Sequence, residues 1–238
     1  MLEARPPTRR AELQAGIRAE LPIALGVLPF GLIYGVLALA AGLPPGAAQA
    51  MSAVVFAGSA QFIATQLIGG GAPAPILLLT TFVVNLRHLL YSASLAPHLR
   101  HLAPAWRWLL AYLLTDEAYV VAALHYGRRE TAVAHKHYYF LGAGLTLWVS
   151  WQLSTAAGIF LGAQVPAGWG LDFTLALTFI GMLVPTLRER PLLLAALVAG
   201  VTAVLGAGLP YKLDLAAAAL AGITAGYAAE TLSRRRAA

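Results

Sequence analysis

The sequence has no cysteine among its 238 residues, and only 11% of them are charged. The first absence removes a disulfide framework and any thiolate metal site. The second removes an ordinary soluble domain, in which roughly a quarter of residues carry charge. There is no phosphate-cradling glycine loop of the P-loop type, so nothing points to direct ATP drive. No polar stretch is left over for a soluble domain. What abounds is apolar: 59% of residues are hydrophobic and the mean hydropathy is +0.72. A disordered chain is not this oily, and the bilayer is the solvent such an excess needs. The net charge of +6 would suit a nucleic acid only if the basic residues gathered on one soluble face. They are spread out, and no nucleic-acid partner is expected.

Eight apolar runs approach the length of about 18 residues that carries a helix across about 30 Å of hydrocarbon. They are Leu21–Leu43, Ala47–Ile68, Pro75–Ala96, Trp106–Tyr126, Tyr138–Gly162, Phe173–Leu187, Leu192–Leu209 and Leu213–Glu230. The sixth is short, and polar residues interrupt the third and fourth. The expected fold is all-α: a polytopic integral membrane helix bundle of about eight spans, with some helices discontinuous. It divides into a basic segment 1–20, one transmembrane domain 21–230 and a basic tail 231–238. The first run is too long for a signal-peptide core of about 7 to 15 residues, so an uncleaved helix is expected. The pair Arg9-Arg10 reads as its cytoplasmic anchor rather than as a twin-arginine signal.

With the N-terminus inside, Arg5, Arg9, Arg10, Arg18, Arg128, Arg129, Lys136, Arg188, Arg190, Arg234, Arg235 and Arg236 fall on the cytoplasmic side. Lys and Arg in short loops set orientation, so both termini are expected in the cytoplasm. The loop carrying His98, Arg100, His101 and Arg107 resists, being basic on the outer side. Irregular geometry is expected near residues 85–105. Gly31 with Gly35, Gly158 with Gly162 and Gly222 with Gly226 have the small-xxx-small spacing that lets helices approach closely in lipid. Phe56-Ala57-Gly58 and Phe179-Ile180-Gly181 form only a three-residue internal echo.

Polar side chains at membrane depth cost about 2.5 to 3.5 kcal/mol each when charged, so each needs a partner or a purpose. Three clusters meet that test. In Asn85-Leu86-Arg87-His88-Leu89-Leu90-Tyr91-Ser92-Ala93-Ser94, helical spacing puts Asn85, His88 and Ser92 on one face and Arg87, Tyr91 and Ser94 on the next. Arg87 has the planar donors to clamp a carboxylate, or it forms a buried ion pair. In Thr115-Asp116-Glu117, a continuous helix would align Asp116 with Tyr112 and Tyr119. These carboxyls suit proton uptake and release, or they neutralise Arg87. In Phe56-Ala57-Gly58-Ser59-Ala60-Gln61-Phe62, Gly-Ser invites a helix break that would offer backbone groups to a substrate, unless Gly58 and Gln61 serve packing alone. The histidine pairs His135 with His137 and His98 with His101 lack further ligands, so no metal and no cofactor are expected.

The same segments resemble the AzlC family of bacterial branched-chain amino-acid exporters. The resemblance rests on Leu28-Pro29-Phe30-Gly31-Leu32-Ile33-Tyr34-Gly35, Met51-Ser52 leading to Phe56 through Phe62, Asn85 through Ser94, and Thr115-Asp116-Glu117. In order and spacing they cover about the first half of the chain. The resemblance implies a plasma-membrane large subunit that exports branched-chain amino acids with a small membrane partner of the AzlD type.

The expected function is therefore secondary export of a small amino acid, coupled to inward proton movement, and not enzymatic. The substrate-binding candidates are Phe56, Gly58, Ser59, Gln61, Phe62, Asn85, Arg87 and Tyr91, with Phe56, Phe62 and Tyr91 as the apolar pocket. Arg87 would take the carboxylate, and Asp116 or Glu117 the ammonium or a proton. A passive channel and an assembly subunit stand as alternatives. An intramembrane enzyme using Asp116 with His88 would need a catalytic motif that the sequence does not offer.

Overall fold

The computed structural model describes residues 8–127, 135–163, 187, 189–209 and 213–237. The sixth apolar run up to residue 186, the Phe179-Ile180-Gly181 echo, and Arg5, Arg128, Arg129, Arg188 and Lys212 lie outside them. Among the described residues all regular structure is helical. The helices are α1 (Arg9–Ala40), α2 (Pro45–Val54), α3 (Gly58–Gly69), α4 (Ala74–Asn85), α5 (Arg87–Leu99), α6 (Pro104–Tyr112), α7 (Asp116–Tyr126), α8 (Lys136–Gly162), α9 (Arg190–Leu205) and α10 (Leu213–Ala237). They fall into two compact units: Met1–Gln66 with Thr81–Ala167, and Leu67–Thr80 with Gly168–Ala238.

The backbone of the first unit is the α1–α8 pair. Thr8 caps α1 by accepting from the Ala11 amide at 3.2 Å, and the 32-residue helix then rises about 48 Å. Glycines on both helices meet the other backbone directly. A Cβ at Gly35 would stand 2.5 Å from the Thr155 carbonyl oxygen, and Gly16, Gly31, Gly142 and Gly158 are equally closed in by Tyr139, Ser154, Leu13 and Leu32. Low numbers meet low and high meet high, so the two helices are parallel. The Gly31/Gly35 and Gly158/Gly162 pairs are thus two sides of one seam, a packing solution suited to lipid. In the second unit, Gly222 and Gly226 of α10 play the same part against Ala199 and Ala195 of antiparallel α9.

Two helical stretches, Arg9–Ala40 and Ala74–Leu99, are long and apolar enough to cross a bilayer. Large apolar side chains such as Leu78, Phe82, Leu90, Trp108 and Leu153 point outward while Glu20, Gln61, Ser52 and Thr155 are wholly buried. That inversion fits lipid as the surrounding solvent.

Three of the apolar runs are not single helices. The second breaks at residues 55–57, the third kinks at Leu86 and the fourth breaks at residues 113–115. The fourth also turns back. Trp106 of α6 packs on His137 and Tyr138, at centroid distances of 4.8 and 5.2 Å. Further along, Leu113 closes on Gly144 and Tyr112 meets Trp148. The return helix α7 then runs up α8 the other way: Val121 packs with Tyr139 and Ala143, and the Tyr126 hydroxyl donates to the Lys136 carbonyl at 2.8 Å. Residues 104–126, expected as one continuous span, form a helical hairpin whose two arms run in opposite senses along α8.

The Lys136 end of α8 also collects the loop expected on the far side. Arg9 lies 5.8 Å over the Tyr138 ring, and His98 packs on Tyr126 at 5.2 Å. Burial, and then the charges of His135, His101 and Arg9, lower the pKa of His137. The basic loop 98–107 and the start of α1 thus share one end of the first unit. The expectation placed them at opposite ends because it counted three crossings between them, Leu21–Leu43, Ala47–Ile68 and Pro75–Ala96.

Candidate functional site

Each helix break leaves backbone donors or acceptors without an intrahelical partner, and the sequence supplies polar side chains at those points. The α6–α7 break ends on Thr115, whose hydroxyl accepts from the Ala118 amide at 3.3 Å and starts α7. Asp116 and Glu117 follow in the first turn, where the helix dipole favours negative charge. The α2–α3 break places Gly58 and Ser59 at the start of α3. Only a small residue fits at 58, since a Cβ there would stand 3.0 Å from the Trp151 ring.

Arg87, at the α4–α5 kink, joins the other two breaks. Its Nη1 makes an ion pair with Asp116 Oδ2 at 2.7 Å, and its Nη2 donates to Ser59 Oγ. The two charged side chains keep 30% and 39% of their surface accessible, so the pair is reachable rather than sealed. Arg87 Nε is buried and unbonded, and Tyr91 is a side-chain hydrogen-bond partner of Asp116. Beside it, Tyr91 stacks on Tyr119 with centroids 4.4 Å apart, and the Tyr119 hydroxyl donates to Ser94 Oγ at 3.1 Å.

The breaks are also tied to one another. Tyr112, the last residue of α6, donates to the Ala53 carbonyl near the end of α2 at 2.6 Å and accepts from Trp148 Nε1 at 2.6 Å. Phe56 packs on the same tyrosine at 6.2 Å. Tyr112 therefore does not share a face with Asp116 and Tyr119: with the helix interrupted at 113–115, it serves the α2 end while Tyr119 faces α5.

Ser59, Arg87, Asp116 and Tyr91 come together in this centre, and Glu117 lies within the field of Arg87. Phe62 is buried edge-on against Tyr34 at 6.2 Å. Gln61 is fully buried beside Tyr34 as a side-chain hydrogen-bond partner of its hydroxyl, which also donates to the Ala48 carbonyl at 2.8 Å. The backbone carbonyl of Asn85 meets His88 Nδ1 at 3.1 Å while its side-chain oxygen is buried and unbonded. The Asp116–His88 acid–base pair does not form; Asp116 is taken by Arg87. Among the described residues no three His, Asp or Glu side chains converge as metal ligands.

Several participants were not singled out from the sequence. Gln152 on α8 accepts from Gln49 at 2.7 Å and donates to the Ser52 carbonyl at 3.1 Å, and the Ser52 and Thr155 hydroxyls meet at 3.0 Å. These bonds fix α2 to α8. Glu20 on α1 is wholly buried with both carboxyl oxygens unbonded. Its position just before the first apolar run reads as a boundary residue, and only the early start of α1 carries it inside.

Broken helices in an apolar bundle, with an ion pair at the breaks, define a polytopic membrane protein of the discontinuous-helix kind. The AzlC protein family model matches residues 22–165, which include every residue of this centre. The chain belongs to the AzlC family. It is 27% identical over 229 residues to the inner membrane protein YgaZ of Escherichia coli, covering 93% of this chain and 90% of that one. It is also 27% identical over 177 residues to the branched-chain amino acid transport protein AzlC of Bacillus subtilis, covering 72% and 68%. An uncharacterized membrane protein of Archaeoglobus fulgidus is 27% identical over 187 residues, covering 77% and 80%. No solved structure matches the chain.

Proposed function

We propose that this protein is a secondary transporter that exports branched-chain or similar small amino acids across the plasma membrane, coupled to inward proton movement, with a small membrane partner of the AzlD type. The observation that carries the reading is the accessible Arg87–Asp116 pair joining three helix breaks. An α-amino acid carries the same two charges as the pair. Its carboxylate can take the guanidinium, its ammonium can take Asp116, and the protein's ion pair re-forms when the substrate leaves. Neither charge is then ever left alone in low dielectric, where it would be expensive. The backbone groups of the α2–α3 break and Ser59 add hydrogen bonds, and Phe56, Phe62 and Tyr91 supply the apolar side of the pocket. The name of the Bacillus subtilis relative supports the choice of branched-chain substrates.

Gathering Arg9, Arg10, Arg100, Arg107 and Lys136 toward one end of the first unit favours that end as the cytoplasmic one. The N-terminus would then be cytoplasmic, and the tail Arg234-Arg235-Arg236 assigns the C-terminus to the same side.

The test is efflux of preloaded radiolabelled valine, with leucine and isoleucine as competitors, from proteoliposomes holding the chain with and without the partner under an imposed pH gradient. Valine driven against its own gradient is the expected result. Equilibration alone would mean a channel, and no flux from folded protein in either preparation would defeat the reading.

A further inference from the structure

Glu20 is a buried acid that has no place in the site described above. It is wholly buried on α1, and neither carboxyl oxygen is bonded. Its surroundings can be read from the antiparallel pairing of α1 with α7. Glu12 Oε2 meets His125 Nε2 at 3.1 Å, so eight residues further along α1 and eight back along α7 bring Glu20 to the level of Glu117. Ala19 and Ile23, which flank Glu20, pack against the cluster of Val121, one turn beyond Glu117. The charge of Glu117 does act on Glu20.

Among the described residues no cation offsets it. On α1 the nearest charge, Arg18, is exposed, and Glu12 is engaged with His125. On α8 the charged residue is Lys136 in the first turn, held 5.3 Å from the Tyr126 ring. Helix α2 contains no charged residue. From α7 the facing acid is Glu117, beyond which lie Asp116 and Arg87. A carboxylate desolvated in this way, with an acid rather than a base opposite, is the arrangement that favours a carboxyl group retaining its proton.

We propose that Glu20 is the proton-carrying carboxyl of this protein and that Glu117 connects it to the Arg87–Asp116 site. When Glu20 releases its proton its O–H bond breaks and an O–H bond forms on an entering water molecule; Glu117, which makes no hydrogen bond to Glu20, acts on this step through its charge. Because Glu117 lies in the field of Arg87, a substrate carboxylate that occupies Arg87 alters the charge that Glu20 faces across the α1–α7 interface. Binding and proton transfer are thereby linked. The inference rests on the proton-coupled reading above for its role in transport, but the proton on Glu20 can be observed without any substrate.

Infrared spectroscopy of the full-length protein in liposomes at neutral pH should show a protonated-carboxyl C=O band that shifts in deuterated water. Glu20→Gln, which keeps shape and removes charge, should delete that band. Glu117→Gln should retain it and move its pH midpoint to lower pH, because a neighbouring like charge is gone. In flux measurements, Glu20→Gln should keep valine–valine exchange at equal pH and lose the stimulation of valine efflux by a pH gradient. A band that survives Glu20→Gln, or gradient-driven efflux that persists in it, overturns the proposal. An unmoved midpoint in Glu117→Gln overturns the role of Glu117. If the wild-type protein carries no valine yet shows a band that Glu20→Gln deletes, the substrate reading fails and the proton site stands.

Discussion

The α1–α8 seam and the centre where the helices break solve the same problem in opposite ways. In lipid there is no hydrophobic force to press helices together. The seam answers by stripping side chains away, so that Gly16, Gly35, Gly142 and Gly158 let two backbones touch along a parallel pair. The centre interrupts helices instead and fills the gaps with Arg87, Asp116, Ser59 and Tyr112. The first arrangement has no freedom left, because nothing small can be moved aside. The second is held by bonds that a ligand can replace one for one. Stability and function are therefore expected to separate under mutation, with glycine changes governing abundance and polar changes governing flux.

Arg87→Ala should produce the largest effect. It removes the guanidinium from the proposed carboxylate clamp, and hydrogen bonds to a charged group contribute about 1.5 to 3 kcal/mol each. Two such bonds correspond to a loss of more than about a hundredfold in valine efflux, at about 1.4 kcal/mol per factor of ten. The pair is one-third accessible, so the stranded Asp116 should cost less than the about 3 to 5 kcal/mol of a fully buried break. Membrane abundance measured on the same preparation should stay near wild type. Normal efflux in this variant would erase the division between seam and centre.

Gly158→Leu should do the reverse. Leu32 leaves no room for a side chain there, and overpacking of this kind typically costs about 1 to 3 kcal/mol. Abundance and thermal stability in detergent should fall, and the protein that does assemble should retain its affinity for substrate. A stable protein with altered affinity would mean that the seam moves during transport.

How much of this was legible follows from chemistry in each case. Arg87, Asp116 and Ser59 stood out because charge and hydroxyl in an oily run have to be explained, and the Gly58-Ser59 break could be foreseen from residues that tolerate one. The α6–α7 break was written in the sequence as a helix start, Thr115 followed by two acids, but Leu113-Leu114 before it are good helix formers and mask the stop. The return of α7 along α8 left no local mark, since it depends on which surfaces pack. Apolarity alone cannot distinguish a crossing from a hairpin. Glu20 was hidden for a related reason: hydropathy locates where oil begins, whereas burial depends on where the helix begins, and α1 begins at Arg9.

The smallest change probes the join between the two regions. Tyr112 belongs to the centre by position but is bonded by Trp148, which stands on the seam helix α8, and it passes that restraint to the Ala53 carbonyl at the end of α2. Tyr112→Phe keeps the ring that Phe56 packs on and removes both bonds, at a cost of about 1 kcal/mol each. If the α2 end must stay fixed to shape the pocket, the affinity for valine should fall roughly five- to thirtyfold, with abundance little changed. If instead the bonds hold only the resting state closed, their loss should leave affinity intact and raise the exchange rate. Equilibrium binding and exchange kinetics on one preparation separate the two, and they decide whether the broken helices are anchored to the rigid seam or move against it.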